Sequence, residues 1–104
     1  MRGSIADDLD PLIHERVRLG ILTLLSVQGT LDFKTLKESL NVTDGNLSQH
    51  LRKLEDGGYI EVHKTFVKRR PRTTYSLTEL GRERLALYIE KLEQILKEVK
   101  DAGK

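Results

Sequence analysis

Cysteine is absent from this chain of 104 residues, and the sequence holds no long apolar run. Without cysteine there is no disulfide framework, no thiolate metal cluster and no cysteine nucleophile, which fits a reducing compartment. No segment approaches the length of a membrane span, and the first residues lack the apolar stretch of a signal peptide. Met1–Ser4 instead resembles an expression-vector leader. The sequence therefore favours a cytoplasmic protein that does not bind a membrane.

Catalytic and metal-binding motifs are missing as well. The histidines at positions 14, 50 and 63 do not have the spacing of metal ligands. There is no glycine-rich phosphate loop, zinc-protease helix or nucleophile elbow, and no repeat or low-complexity tract. We therefore expect a single domain over residues 1–104, flexible over residues 1–9, that is not an enzyme and holds neither cofactor nor metal.

Positive charge is concentrated in one segment, although the formal net charge is only +2. Between Lys64 and Arg72 there are five cations and no acid, whereas residues 78–104 carry six charges of each sign. A balanced block usually forms a solvated helix face, but an acid-free basic cluster is suited to contact phosphates. This cluster is the first candidate for binding a polyanion.

Caps and apolar periodicity predict two helices near the start of the chain. Asp10-Pro11 is typical of a helix start, and the first helix is predicted over residues 11–27, ended by Gly29. Asp32 can cap a second helix that continues through Leu40.

A third helix is predicted between a cap at Thr43 and a stop at Gly57-Gly58. Its buried stripe has the spacing i, i+4 and i+7 and consists of Leu47, Leu51 and Leu54. At about 100° per residue, the opposite side is polar and carries Gly45, Gln49, Arg52, Lys53 and Asp56. Glutamine can pair with adenine and arginine with guanine in a major groove, and Gly45 would let the helix approach DNA closely.

The second half of the chain predicts a hairpin and a long helix. Residues 59–67 and 72–77 have the composition of strands, and residues 68–71 form a basic tip between them. The last helix is predicted over residues 78–101. Its length of about 36 Å exceeds what a domain of this size can cover with its own core.

The ordered set of elements resembles the winged helix-turn-helix regulators of the MarR-like and ArsR-like type, short and single-domain. The resemblance is carried by Val42–Ile60, by the basic tip Lys68–Arg72 and by Tyr75–Gly81, and it extends over about residues 11–100. It implies an α+β, mostly α, winged-helix fold with a long C-terminal dimerisation helix. The cysteine ligands of metal-sensing ArsR-like proteins are missing, which argues against metal sensing.

Two groups of residues are expected to bind double-stranded DNA. The third helix contributes residues at its start and along its polar side: Thr43, Asn46, Ser48, Gln49, Arg52 and Lys53. The wing contributes the cations Lys68, Arg69, Arg70 and Arg72. Polar side chains on the helix would read base edges, while Ser48 and the wing cations would contact phosphates.

Dimerisation is predicted from apolar rows with a seven-residue repeat on the last helix. These rows consist of Leu85, Tyr88, Ile89, Leu92, Ile95, Leu96 and Val99. The resemblance adds Leu12 and Ile13, since family members pair through their terminal helices. A two-fold dimer would place two recognition helices in successive major grooves about 34 Å apart, which implies a roughly palindromic operator. Repression by occupying that operator is the expected activity.

Each feature also has a plainer interpretation. The third helix would be an ordinary amphipathic helix, the basic tip a solubilising turn, and the apolar rows of the last helix part of the monomer core. The main alternative function is a winged-helix module that binds another protein, because a fold does not determine a function. A nucleic-acid-modifying enzyme is a more distant alternative, for which no catalytic residue can be nominated.

Overall fold

The structure is a computed structural model and describes residues 8–103. Within that range four helices and three strands follow one another in the predicted order. They are α1 (Arg16–Gln28), β1 (Leu31–Asp32), α2 (Phe33–Leu40), α3 (Asp44–Asp56), β2 (Ile60–Val67), β3 (Arg70–Leu77) and α4 (Glu79–Ala102). The strands form one antiparallel sheet in the order β1-β3-β2. The predicted α+β, mostly α, winged-helix fold is confirmed.

The start of α1 differs from the prediction, because the helix begins at Arg16 and not near Pro11. The side chain of Arg18 bonds to carbonyl oxygens that a continuous helix would use for its own backbone. Its Nε donates to the Leu12 oxygen at 2.5 Å and its Nη2 to the Pro11 oxygen at 3.4 Å. The carboxylate of Glu15 then caps α1 by accepting from the Arg18 amide at 2.8 Å.

The caps predicted for α2 and α3 are both present. The Asp32 carboxylate accepts from the Thr35 amide at 2.8 Å, and the Thr43 hydroxyl accepts from the Asn46 amide at 3.1 Å. The predicted stripe of α3 is buried in the core and consists of Leu47, Leu51 and Leu54. Burial of this side fixes which side of α3 faces solvent.

The hairpin turn is tighter than predicted. Only Lys68 and Arg69 form it, with φ of 51° and 66°, and Arg70 and Pro71 already belong to β3 opposite Val67 and Phe66. Two consecutive residues with positive φ are typical of the type I′ turn, whose twist matches that of the flanking strands. The strands therefore extend to the turn, and the predicted four-residue tip is wrong.

The last helix, α4, begins as predicted at a Thr78 cap, whose hydroxyl accepts from the Gly81 amide at 2.9 Å. Gly81 lies against the Tyr59 backbone, where an added Cβ would come within 2.0 Å of the carbonyl oxygen. The missing side chain of Gly81 lets the first turns of α4 pack closely on the domain. The residues that α4 buries all lie in this first part: Gly81, Leu85 and Tyr88.

The N-terminal segment also packs on the domain. Leu9 is buried in the core, so the flexible segment predicted over residues 1–9 does not extend to it. Residues 1–7 of that prediction, including the leader-like residues 1–4, lie outside the described residues, and the Asp8 carboxylate lies 3.9 Å from Lys91 Nζ. The Tyr59 hydroxyl donates to Asp10, and burial together with this hydrogen bond raises the pKa of Tyr59 to about 12. Among the described residues, no helix is both long and apolar enough to cross a bilayer.

Candidate nucleic-acid interface

The polar side of α3 faces solvent, while the opposite side of the helix is buried in the core. Its residues border one shallow depression and are Ser48, Gln49, Arg52, Lys53 and Asp56. All five are exposed, while the apolar stripe on the opposite side of the helix is buried. The helix therefore presents a hydrogen-bonding surface whose orientation is fixed by its core contacts. The contact of these residues with DNA stays a prediction.

A groove joins this surface to the hairpin. Ser48 and Arg52 line it from α3, and Lys64 and Thr73 line it from β2 and β3. Tyr75, which is buried, also lines the groove from the sheet. The helix and the hairpin thus line one shared groove, which carries one acid, Glu55, beside its two cations. Lys64 was recognised in the sequence as part of the basic cluster but was not predicted as a site residue.

The two sides of the hairpin carry different side chains. Because side chains alternate along a strand, Lys64, Phe66, Pro71 and Thr73 share the side that carries the groove, which we call the inner wing face. The predicted contact residues Arg70 and Arg72 lie on the other side of β3, and Lys68 and Arg69 lie in the turn. The four predicted wing cations therefore do not form one surface.

Arg72 is also engaged within the protein. Its Nη2 lies 3.5 Å from a carboxylate oxygen of Asp32, the residue that caps α2. The hydrogen bonds from Thr35, with Arg72 and Lys34 adding positive charge, hold the pKa of Asp32 below its ordinary value. Since Asp32 stays ionised, part of the charge of Arg72 is compensated, and this cation is less available to a phosphate than the turn cations.

The start of α3 combines a cap, an ion pair and a glycine. Thr43 uses its hydroxyl as the cap, so its role in the site is first of all to begin the helix. Asp44 would repel a phosphate at this helix end, but Lys37 of α2 lies 2.7 Å from its carboxylate. An added Cβ at Gly45 would meet no atom within 4 Å, so packing within the protein does not require glycine there. Lys37 was missed because sequence spacing does not show that α2 reaches Asp44.

His50 faces inward and connects α3 to α1. Its Nδ1 lies 3.0 Å from a guanidinium nitrogen of Arg18 and 3.5 Å from the Glu15 carboxylate. Burial, assisted by Arg18 and Lys53, lowers the pKa of His50 although Glu15 opposes this. The neutral ring therefore accepts from Arg18 through Nδ1. The available sequence signal was Arg18 itself, a lone cation among the buried residues of α1.

The nine residues predicted for dimerisation divide by their exposure. Three are covered by the chain's own core, with 0, 7 and 3% of their surface exposed: Ile13, Leu85 and Tyr88. Three are partly buried against that core: Leu12, Leu92 and Ile95. Three are exposed by 41, 49 and 66%: Ile89, Leu96 and Val99. The first three are therefore residues of the monomer core and offer little surface to a partner.

Two of the histidines, His14 and His63, each lie beside a hydroxyl group of another side chain. His14 Nδ1 lies 2.8 Å from the Tyr88 hydroxyl, and His63 Nε2 lies 3.0 Å from the Ser76 hydroxyl. Over residues 8–103, no group of three or more histidine, aspartate or glutamate side chains is arranged to hold a metal ion. The side chains at the candidate site offer hydrogen bonding, positive charge and apolar contact.

Known proteins share both the sequence and the shape of this chain. Residues 17–96 match the profile of the winged helix DNA-binding domain family. An uncharacterized protein of Methanocaldococcus jannaschii is 42% identical over 88 residues, which cover 85% of this chain and 96% of that protein. The structure of a transcriptional regulator homologue from Pyrococcus horikoshii OT3 is 30% identical with a TM-score of 0.80, covering 85% and 87% of the two chains. YodB from B. subtilis, 24% identical with a TM-score of 0.72 over 79% and 80% of the chains, shares the fold.

Proposed function

The chain belongs to the family of winged helix DNA-binding domains, and from this premise we propose that it is a homodimeric transcriptional regulator. It binds double-stranded DNA sequence-specifically and represses by occupying a roughly palindromic operator. The regulator homologue from Pyrococcus horikoshii, similar over most of both chains, supports the regulatory role. We propose that the protein works in the cytoplasm, and the proposal gives it no catalytic role.

The observation that carries the proposal is the groove shared by α3 and the hairpin. Ser48 and Arg52 on the helix and Lys64 on β2 border the same space, so one duplex can meet both elements. Gln49, Arg52 and Lys53, together with Asn46 near the start of α3, would read base edges in the major groove. Ser48, the turn cations and Arg70 would contact the flanking phosphates.

The dimer is proposed from the exposed end of the α4 stripe. Three apolar residues of the stripe are exposed, Ile89 by 41%, Leu96 by 49% and Val99 by 66%, and the two most exposed lie in its last turns. Burying that row against the same row of a second chain would remove apolar surface from water and would orient two α3 helices about a two-fold axis. The half-sites would then lie about 34 Å apart, one turn of DNA.

The test begins with selection of bound sites from random-sequence duplexes, followed by a salt titration on the selected duplex. We expect paired half-sites and a log-log slope of about −0.9 per phosphate neutralised. The double variant Arg69→Ala with Arg70→Ala should bind more weakly and flatten that slope. Salt-independent binding, or no selected sequence, would reject the proposal. Unchanged retention of the double variant on a DNA column would favour the protein-interaction module.

A further inference from the structure

The wing ends in an apolar pair that the domain does not cover. Phe66 is 73% exposed, although aromatic side chains contribute strongly to folding when they are buried. It pairs across the hairpin with Pro71, which is also exposed. The two residues lie on the inner wing face, two residue pairs closer to the turn than Lys64 and Thr73. The apolar pair is thus the outward continuation of the groove that begins at α3.

The charges around this apolar pair indicate which kind of ligand it contacts. From Val62 to Thr78 the sequence contains no acidic residue, and the turn next to Phe66 carries Lys68 and Arg69. An apolar protein surface docked on Phe66 would have to compensate these cations with acids of its own. A duplex offers both chemistries together, because rows of phosphates border the minor groove and apolar side chains can insert between the base steps along it.

The size of the grooves determines where on the duplex the pair lies. An α-helix with its side chains is about 10–12 Å wide, and the major groove is about 12 Å wide. When α3 occupies the major groove, the hairpin beside it has no room there and lies over the adjacent backbone and minor groove. Apolar side chains such as phenylalanine and proline act at minor grooves as wedges between base steps.

We propose that Phe66, supported by Pro71, is an apolar contact of the wing to the DNA minor groove adjacent to the major groove that α3 reads. This inference rests on the proposed function and adds a recognition residue to the same interface. Phe66 neutralises no phosphate. Its contribution to affinity is therefore independent of salt, in contrast to that of Lys68 and Arg69.

A tryptophan reporter tests the contact directly, since the chain contains no tryptophan. Phe66→Trp places the fluorophore on the inner wing face, and Val67→Trp, on the next residue of the same strand, places it on the opposite side. We expect the selected duplex to quench emission from position 66 through stacking and to leave position 67 unaffected. Equal responses at the two positions would contradict the inference.

Affinity and salt dependence give the second measurement. Phe66→Ala should weaken binding to the selected duplex roughly five- to tenfold with an unchanged salt slope. The matched Val67→Ala, 44% exposed, should leave affinity unchanged. Lys68→Ala with Arg69→Ala should instead flatten the slope by about 1.8.

A change in the duplex gives a further measurement. Inosine in place of flanking guanines alters only the minor groove, and it should change the affinity of the wild type but not of Phe66→Ala.

The outcomes separate this inference from the proposed function. If the wild type binds the duplex with steep salt dependence but Phe66→Ala binds equally well, the inference is wrong and the proposed function stands. If the wild type does not bind any duplex, both are wrong. If Phe66→Ala changes the oligomeric state in sedimentation while DNA affinity is preserved, the apolar pair contacts a second copy of the chain, and the inference is overturned. Because Phe66 is exposed, thermal unfolding of the variant should match the wild type.

Discussion

The helices α3 and α4 each bury a short row of residues, but they leave different chemistry in solvent. The 13 residues of α3 bury Leu47, Leu51 and Leu54 over nearly its whole length, and its other side is polar. The 24 residues of α4 include no fully buried residue beyond Tyr88, although Leu92 and Ile95 pack partly on the core, and the apolar stripe continues to Val99. Water solvates the exposed side of α3 without penalty, whereas the end of α4 exposes a row that a partner would cover.

This difference determines how strongly each surface argues for a ligand. An exposed polar helix face is ordinary, so α3 becomes a candidate recognition helix only because it shares a groove with the basic hairpin. An exposed apolar row is less ordinary on a helix that extends beyond the core of its domain. Such a row argues for an interface by itself, with no second element needed. The molecule measures 59 × 24 × 22 Å, which agrees with a helix that extends beyond the domain.

The strongest test of this contrast is a charge in the α4 stripe. Leu96→Glu should convert the dimer to a monomer, because burying a carboxylate against a second copy is unfavourable. Loss of the second half-site should then weaken binding to the palindromic duplex by about 100-fold. Sedimentation equilibrium and fluorescence anisotropy measure the two effects. Gln94→Glu places the same charge on the exposed opposite side of α4 and should change neither. A dimeric Leu96→Glu protein would contradict the proposed interface.

The next test compares one glycine of each helix. In Gly81→Ala the new Cβ would meet the Tyr59 carbonyl oxygen at 2.0 Å, so the start of α4 must move away from Tyr59. We expect a loss of about 2–3 kcal/mol in the free energy of unfolding, measured by urea titration. In Gly45→Ala the Cβ meets no atom, and the better helix former should raise stability by up to about 1 kcal/mol. Equal stability of the two variants would mean that α4 is not held at Gly81.

The sequence predicts those helices well whose start depends on a local cap. Asp32, Thr43 and Thr78 each accept a hydrogen bond within three residues along the chain, so the signal and its structural consequence are close together. The start of α1 was missed because it depends on the side chain of Arg18, which reaches back to the preceding turn. The tight hairpin turn was missed because Lys68 and Arg69 are not residues that mark a positive φ.

The site residues are harder to predict than the fold, because the packing of the elements decides which side chains share one surface. Alternation along β3 separates Arg72 from Thr73, although both lie in one basic segment of the sequence. Periodicity on α4 finds the apolar stripe but cannot tell that its first part, including Leu85, belongs to the monomer core. The polar side of α3 was predictable because three leucines at helical spacing determine the opposite side.

A smaller effect should show whether Arg52 of α3 contacts base edges or only the phosphates of the DNA. Arg52 borders both the surface depression of α3 and the groove toward the hairpin. Arg52→Ala should cost about 1–3 kcal/mol of discrimination between the selected site and a site changed at one base pair. Lys97→Ala, which removes a cation from α4, is the control and should leave discrimination intact. If Arg52→Ala weakens binding to all duplexes equally, Arg52 contacts phosphate and does not read sequence.

The smallest expected effect concerns the contact between α3 and α1. Burial lowers the pKa of His50 below its ordinary value of 6.5, with Arg18 and Lys53 adding to this and Glu15 opposing it. The unfolded chain therefore takes up a proton first as the pH falls below about 6.5, and stability decreases until the folded pKa is passed. His50→Gln keeps an acceptor for Arg18 and removes the titrating ring at this position. Urea unfolding between about pH 8 and pH 5 should show a weaker pH dependence for this variant, and parallel profiles would remove His50 as the cause.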